Sequence, residues 1–175
     1  MCIRDSGKTL AYAWPLMEKI VPQNGTQLVV LAPSQELAMQ ITDVIRDWCK
    51  LVDLRVTPII GGANVKRQME KLKKHPEIVV GTPGRVLNLI HKRKLKMHKV
   101  QAIVIDEADR LLDEEKLPLC RKIVSHALSD VQLAFFSATD GPILHHIHQW
   151  FGVEPQICDV REKDDSHGHV DHYLI

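Results

Sequence analysis

The sequence predicts an α/β protein whose mostly parallel sheet is doubly wound, with helices on both faces. The first observation behind this prediction is that short β-branched runs alternate with longer amphipathic segments along the chain. The second is that several of these runs are almost continuously apolar, such as residues 28–31 (LVVL) and 102–105 (AIVI). Strands buried on both faces have this composition, whereas strands with one solvent-facing side alternate.

Six strands and six helices follow from this pattern. The strand candidates are residues 27–31, 55–60, 77–80, 101–105, 132–136 and 156–160. The helix candidates are residues 8–20, 35–49, 65–74, 85–91, 117–128 and 142–150. The second of them has apolar residues at three- and four-residue spacing, which gives it one apolar face: Leu37, Ile41, Val44, Ile45 and Trp48. Because ligands of such folds bind beyond the carboxyl ends of the strands, the residues after each strand are the candidates for chemistry.

Composition and charge set limits on the class of protein. The 175 residues are 45% hydrophobic and 26% charged, which suits a soluble domain with a buried core. No apolar run approaches the roughly 20 residues needed to span a bilayer, so no membrane partner is expected. The net charge of +1 gives no overall basic signal for nucleic acid. A local basic stripe is either a nucleic-acid contact or a solvated surface: Lys92, Arg93, Lys94, Lys96 and Lys99.

The cysteines and histidines offer little sign of a metal centre. Four scattered cysteines form no CxxC pair, which is typical of a reduced, cytoplasmic protein: Cys2, Cys49, Cys120 and Cys158. Two histidine groups lack a Cys or carboxylate at a recognised zinc spacing: His145, His146 and His148, and His167, His169 and His172. A solvated helix face and a polar linker are the favoured interpretation of these histidines.

Two loops carry residues suited to nucleotide chemistry. Ser6, Gly7, Lys8 and Thr9 match the closing half of the GxxxxGK[ST] pattern and are expected to open the first helix. There Lys8 would reach the β- and γ-phosphates of ATP, and Thr9 would be a ligand of Mg²⁺. An ordinary helix start explains the same four residues.

The second loop is acidic and follows the buried run at residues 102–105. Asp106 would hold Mg²⁺ through water, and Glu107 would polarise the attacking water. The alternative is an acidic helix amino terminus, which the helix dipole favours.

Taken in order, six motifs resemble the first lobe of the DEAD-box RNA helicases, with small bacterial members as the nearest likeness. They are residues 6–9 (SGKT), 32–38 (APSQELA), 61–62 (GG), 82–85 (TPGR), 106–109 (DEAD) and 137–139 (SAT). The resemblance covers nearly the whole chain, and it implies a RecA-like P-loop fold and ATP-dependent remodelling of RNA. It also implies ATP and Mg²⁺ as ligands, single-stranded or short duplex RNA as a partner, a second lobe, and a monomeric protein.

The resemblance assigns roles to the remaining loops. Contacts to the RNA sugar-phosphate backbone are implied for Pro33, Ser34, Gln35, Gly61, Gly62, Thr82, Pro83, Gly84 and Arg85. Coupling between ATP and RNA is implied for Asp109, Ser137 and Thr139. Glycines let a backbone approach phosphate, and an Arg and a Thr hydroxyl bind its oxygens. Read without the resemblance, residues 82–85 are a strand-to-helix turn and residues 137–139 a helix cap.

The sequence departs from the family pattern A-x-T-G-[ST]-G-K-T at its start. Arg4 stands in place of Thr and Asp5 in place of Gly, so a carboxylate would lie beside bound phosphates, at a cost of roughly 1 to 4 kcal/mol. Gln35 stands where Arg is usual. We therefore expect residues 1–5 to be a foreign leader, residues 6–160 to be the ATP-binding lobe, and residues 161–175 to lead into the second lobe.

Two other functions remain open from the sequence. One is a P-loop ATPase that acts on DNA or protein, and the other is a catalytically inactive RNA-binding lobe. Stimulation of hydrolysis by RNA rather than DNA would separate the helicase from the first of these, and absence of hydrolysis would favour the second.

Overall fold

A five-stranded parallel sheet forms the centre of the protein. The computed structural model describes residues 3–62, 65–139, 143–154 and 156. The strands are β1 (Leu28–Leu31), β2 (Val56–Ile59), β3 (Ile78–Gly81), β4 (Ala102–Ile105) and β5 (Gln132–Phe135), in the order β2-β3-β1-β4-β5. Every pairing is parallel, and Val29 of β1 is aligned with Val79 of β3 and Ile103 of β4. The predicted parallel sheet is confirmed.

Seven helices connect and cover these strands within the described part of the chain. They are α1 (Ile3–Met17), α2 (Gln35–Cys49), α3 (Val65–Lys73), α4 (Pro83–His91), α5 (Ala108–Leu111), α6 (Leu117–Ser125) and α7 (Ile143–Phe151). The start of α2 is fixed by Ser34, whose side chain accepts a hydrogen bond from the backbone N–H of Leu37. The short α5 was not predicted, because four residues are too few to show a helical period. The predicted strand at residues 156–160 has Gln156 outside any strand, and its other residues lie outside the described part.

The first helix is longer at its start than the sequence predicts. It begins at Ile3, not at Lys8, so Ser6 and Gly7 lie inside α1. The expectation that residues 6–9 open the helix is therefore wrong for this structure. The acidic residue at position 5 suits the first turn of a helix, and the glycine expected there, which favours a turn, is missing.

Two apolar cores lie on the two faces of the sheet, as a doubly wound fold requires. Successive residues of β1 point to opposite faces. Leu28 and Val30 pack in the core covered by α1 and α2, which includes Tyr12, Ile41 and Ile45. Val29 and Leu31 pack in the other core, together with Leu89 of α4 and Ile123 of α6. None of the described helices is both long and apolar enough to cross a membrane.

Gly81 sets how closely β2 and β3 approach at the carboxyl edge of the sheet. A Cβ atom added there would lie 2.4 Å from the backbone oxygen of Ile59. No side chain fits that distance, so β3 must end in glycine. The next residue, Thr82, is thereby placed at the start of α4.

Candidate functional site

The carboxyl edge of the sheet gathers the predicted site residues into an acidic centre and a groove. Parallel strands end at the same edge, so the loops after β1, β2, β3, β4 and β5 are neighbours there. The acidic centre lies after β4 and faces α1, whereas the groove lies after β1, β2 and β3.

Asp106 is the most heavily contacted carboxylate of the acidic centre. It is 4% exposed, and the Lys8 Nζ atom lies 3.6 Å from its Oδ1 atom. The Tyr12 hydroxyl donates to Oδ2 at 3.1 Å, and the backbone N–H of Glu107 donates to Oδ1 at 2.9 Å. A buried carboxylate needs such partners, because its charge is otherwise costly to remove from water. The structure thus brings together Lys8, which the sequence predicts to bind phosphate, and Asp106, which it predicts to hold the metal ion.

Tyr12 is a site residue that the sequence did not reveal. Burial raises its pKa well above the usual value, and the nearby charge of Asp106 raises it further, while a hydrogen bond with Thr9 acts in the opposite direction. The phenol therefore stays protonated and donates to Asp106. Its spacing of four residues from Lys8 places both on one face of α1, and that spacing is the signal that could have identified it. Thr9 is also buried, at 5% exposure.

Glu107 has an unusual backbone conformation for a residue with a side chain. Its φ of 49° and ψ of 54° lie in the left-handed region, which costs a non-glycine residue free energy. Its Oε2 atom lies 3.3 Å from Arg110 Nη1 in an ion pair, and this buried oxygen accepts no hydrogen bond from the described residues. A carboxylate with spare acceptor capacity is suited to binding and orienting a water molecule.

The loop after β5 is joined to the acidic loop after β4. The backbone N–H of Ala108 donates to the Phe136 carbonyl at 2.7 Å, and the Thr139 hydroxyl donates to Asp109 Oδ2 at 3.4 Å. Ser137 hydrogen-bonds within its own turn, to the Thr139 backbone, and does not reach the acidic loop. The structure thus places Thr139, but not Ser137, in side-chain contact with the acidic loop.

The groove after β1, β2 and β3 has a volume of about 500 Å³. It is lined by Pro33, Ser34, Gln35, Gly61, Thr82, Gly84, Arg85 and Asn88. Every predicted RNA-contact residue except Gly62 and Pro83 lines it. The sequence missed Asn88, although it lies three residues after Arg85 and so on the same face of α4.

Two polar side chains in the groove bear on what it can bind. Arg85 lines the groove, and its buried Nε atom has no hydrogen-bond partner among the described residues. Gln35 lies over Gly61: a Cβ atom on that glycine would be 2.9 Å from Gln35 Nε2. A guanidinium and amide groups in an open groove suit phosphate and sugar oxygens.

Comparison with known proteins identifies the family. The sequence model described as DEAD/DEAH box helicase matches residues 5–143. The chain belongs to the DEAD/DEAH box helicase family. It is 49% identical over 172 residues to "Probable ATP-dependent RNA helicase YfmL" of Bacillus subtilis, covering 97% of this chain and 46% of that protein. It is 42% identical over 171 residues to the DEAD-box ATP-dependent RNA helicase CshC of Bacillus cereus, covering 97% of this chain and 44% of that protein.

Solved structures of DEAD-box proteins share the fold. A DEAD box protein of Methanococcus jannaschii superposes with a TM-score of 0.76 at 34% identity, over 82% of this chain and 39% of that chain. Dbp5 of S. cerevisiae, in a complex with RNA and ADP BeF3, gives 0.74 at 29% identity, over 83% and 37%. This DEAD/DEAH box chain spans less than half the length of the relatives it matches.

In this DEAD/DEAH box chain, the amino-terminal motif differs from a phosphate-binding loop. Within a helix, backbone N–H groups are bonded to carbonyls four residues earlier, and Gly7 and Lys8 lie in α1. Their N–H groups are therefore turned away from any anion. The side chains of residues 3–6, which include that of Ser6, lie outside the described part.

The histidines of α7 have contacts of other kinds. The ring of His146 stacks on Trp150 with ring centroids 5.3 Å apart, and His148 lies 3.0 Å from Glu154. Among the described residues, no three His, Cys, Asp or Glu side chains are grouped to hold a metal ion. The side chain of His145 lies outside the described part, as do residues 167, 169 and 172.

Proposed function

We propose that residues 6–160 are the ATP-binding and RNA-gripping lobe of an ATP-dependent RNA helicase. The observation that carries the proposal is the pairing of Lys8 with Asp106 at 3.6 Å, at the same sheet edge as the groove that contains Arg85. A nucleotide site and a polyanion site at one edge allow each ligand to influence the other. The proposed partners are single-stranded or short duplex RNA and a second lobe, in a monomeric cytoplasmic protein.

The donor set of the acidic centre fits Mg²⁺. Mg²⁺ prefers oxygen ligands and keeps several waters, so one carboxylate and one hydroxyl suffice from the protein. Asp106 and Thr9 supply these groups. When bound, Mg²⁺ would neutralise charge on the β- and γ-phosphates. Lys8 now compensates the charge of Asp106, and we propose that it moves to the phosphates when ATP binds.

Glu107 is the proposed group that orients the attacking water and accepts its proton. Its Oε2 atom is ion-paired with Arg110 at 3.3 Å but accepts no hydrogen bond from the described residues, so the carboxylate retains acceptor capacity for a water molecule. In the groove, Arg85 and Thr82 would bind phosphate oxygens of RNA, and Asn88 would add an amide contact. These contacts go to the backbone and carry no sequence preference.

The test joins this chain to the carboxyl-terminal half of the Bacillus subtilis relative and measures ATP hydrolysis with and without RNA. We expect hydrolysis that RNA stimulates at least tenfold and that Glu107→Gln abolishes. Asp43→Asn, on the exposed surface of α2, is the control and should leave the rate unchanged. Equal stimulation by DNA, or hydrolysis indifferent to both nucleic acids, would favour an ATPase with another substrate.

A specific observation also favours the second candidate, a catalytically inactive RNA-binding lobe. The helix α1 runs through Ser6 and Gly7, and the acidic Asp5 directly precedes Ser6 in the sequence. We therefore expect the 175 residues alone to bind ATP weakly, with a negligible rate of turnover. Rapid RNA-stimulated hydrolysis by this chain alone would contradict that expectation.

A further inference from the structure

A second concave surface lies at the amino edge of the sheet, opposite the proposed ATP and RNA sites. This amino-edge pocket has a volume of about 300 Å³. Its walls precede three adjacent strands: residues 23–26 before β1, Leu72 and His75 before β3, and residues 94–96, 98 and 99 before β4. Strands of four residues separate the two edges by about 13 Å, so a ligand in this pocket is distinct from one in the groove.

The amino-edge pocket is positively charged. Three lysines, Lys94, Lys96 and Lys99, line it together with His75 and His98, and no carboxylate is among its lining residues. The sequence has no Asp or Glu from residue 78 to residue 105. Glu77, the nearest acidic residue in the chain, is fully buried and bonded to Arg55 at 2.8 Å. Its charge is therefore already compensated, and within the part of the chain that the structure describes no ion pair neutralises the three lysines.

The fold fixes the backbone that carries these cations and anchors one of their ammonium groups. In the segment before β4, Leu95 and Met97 are buried in the core, whereas Lys94, Lys96 and His98 alternate with them and are exposed. Lys99 donates to the Asn24 side-chain oxygen at 2.6 Å. Across the pocket, the Thr26 hydroxyl donates to the Pro76 carbonyl at 2.8 Å and ties the first wall to the second. Because its ammonium is already held by Asn24, Lys99 loses little side-chain conformational entropy when an anion binds.

We propose that the amino-edge pocket is an accessory site for phosphodiester groups of RNA, outside the groove at the carboxyl edge. The inference rests on the proposed function, because it takes RNA to be the polyanion that this chain meets. A polymer suits the charge distribution better than a small anion does. Further exposed cations stand next to the pocket residues in the sequence: Lys92 and Arg93 precede Lys94, and Lys73 and Lys74 precede His75. A strand that leaves the groove would be held there through its backbone, without base reading.

The test compares two triple variants of the chain by RNA-binding anisotropy over a series of salt concentrations. The pocket variant is Lys94→Gln, Lys96→Gln and Lys99→Gln. The control variant, Lys19→Gln, Lys50→Gln and Lys122→Gln, removes the same charge from exposed positions just after α1, just after α2 and on α6. For a single strand of about 30 nucleotides, the plot of log K against log salt has a negative slope, and loss of three phosphate contacts should make that slope less steep by roughly 2. We expect the pocket variant to bind at least tenfold more weakly at low salt and the control to bind within twofold of the unmodified chain.

A third variant separates this proposal from the proposed function. Arg85→Ala removes the guanidinium from the groove and leaves the amino-edge pocket intact. If Arg85→Ala weakens RNA binding but the pocket variant and the control behave alike, the accessory site is refuted and the groove stands. If the pocket variant weakens binding and Arg85→Ala does not, the accessory site stands and the proposed groove fails.

Two further measurements close the remaining outcomes. Inorganic tripolyphosphate is titrated into each variant. If the pocket binds tripolyphosphate but its loss does not weaken RNA binding, the proposal that RNA is the ligand of the pocket is refuted. Thermal melting followed by circular dichroism checks that each variant is folded. If the triple variant melts early, Lys94→Gln with Lys96→Gln, which leaves the Lys99–Asn24 bond intact, is used in its place and is judged by the same two outcomes.

Discussion

The Lys8 ammonium lies 3.6 Å from Asp106 Oδ1, while the Tyr12 hydroxyl donates to Asp106 Oδ2 at 3.1 Å. One helix therefore supplies both a cation and a neutral donor to the same buried carboxylate. The two contacts differ in what they can do for a ligand. A lysine on a flexible stem can move to phosphate, whereas the buried phenol is held by packing against Phe136, with ring centroids 4.7 Å apart.

This difference predicts that two substitutions in α1 affect different properties: one lowers nucleotide affinity and the other lowers stability. Lys8→Met keeps the length of the side chain but removes the cation, so affinity for a fluorescent ATP analogue should fall by about 10- to 100-fold, or roughly 1.4 to 2.7 kcal/mol. Tyr12→Phe leaves the cation in place and removes the hydrogen bonds of the hydroxyl with Asp106 and Thr9, so stability should fall by about 1 to 2 kcal/mol. Its nucleotide affinity should stay within threefold. An equal loss of affinity in both variants would mean that Asp106, and not Lys8, controls binding.

The start of α1 gives a prediction in the other direction. Arg4→Thr with Asp5→Gly restores the family residues at these two positions. It removes the carboxylate that precedes the proposed phosphate-binding residues, and it puts a poor helix former at position 5. Residues 6–8 can then leave the helix and turn their N–H groups to an anion. We expect nucleotide affinity to rise by about tenfold, or 1.4 kcal/mol, as measured by calorimetry.

A matched control tests whether any gain in affinity depends on the position of the substitution. Glu18→Gly removes a carboxylate and adds a glycine just beyond the other end of α1, and it should leave affinity unchanged. No gain from the restored start would show that Arg4 and Asp5 do not limit nucleotide affinity.

The sheet and its cores were predictable from the sequence because burial on both faces leaves a direct trace. Runs such as residues 28–31 and 102–105 are apolar at every position, and each is a central strand. The groove was predictable for a related reason: the motifs follow strands, and parallel strands end at one edge. The length of α1 was not predictable from apolar period, because nothing in that period says whether residues 3–7 are helix or loop.

Contacts between distant residues were the other part that the sequence did not show. Tyr12 and Asp106 are 94 residues apart, and Tyr12 carries no motif of its own. The amino-edge pocket has the same origin. Its lysines were visible as a basic stripe, but only the strand order places residues 23–26 and His75 around them.

The contact between Thr139 and Asp109 predicts a defect in coupling. Thr139→Val removes the hydroxyl that donates to Asp109 at 3.4 Å, and it keeps the shape of the side chain. In the two-lobed chimera, RNA stimulation of hydrolysis should fall by about tenfold, while RNA affinity and the unstimulated rate change little. Thr139→Ser, which retains the hydroxyl, is the control and should behave as the unmodified protein. A loss of RNA affinity in the Val variant would place Thr139 in the RNA site itself.

The lowered pKa of the Glu77 carboxyl makes the stability of the fold depend on pH. Burial alone would raise its pKa, but the hydrogen bonds from the Arg55 side chain and from the backbone N–H groups of Arg55 and Gln23 outweigh burial and lower it. A carboxyl whose folded pKa is depressed stabilises the fold above its unfolded pKa, about 4.3 for Glu. That contribution is lost as the pH falls through the folded value.

Glu77→Gln should therefore cost about 2 kcal/mol at pH 7, because it removes the charge from a buried acceptor and leaves Arg55 without its partner. Urea unfolding at pH 7 and at successively lower pH measures this. The gap between the unmodified chain and the variant should narrow as the pH falls below about 4.3, because the unfolded carboxyl then takes up a proton while the native one stays ionised, and it should close once the pH has fallen through the lowered folded pKa. Asp47→Asn, which breaks the exposed pair with Lys50, should change stability by less than about 0.5 kcal/mol at any pH. A gap for Glu77→Gln that stays constant down to the acid limit would mean that shape and packing at this position, and not charge, stabilise the amino edge of the sheet.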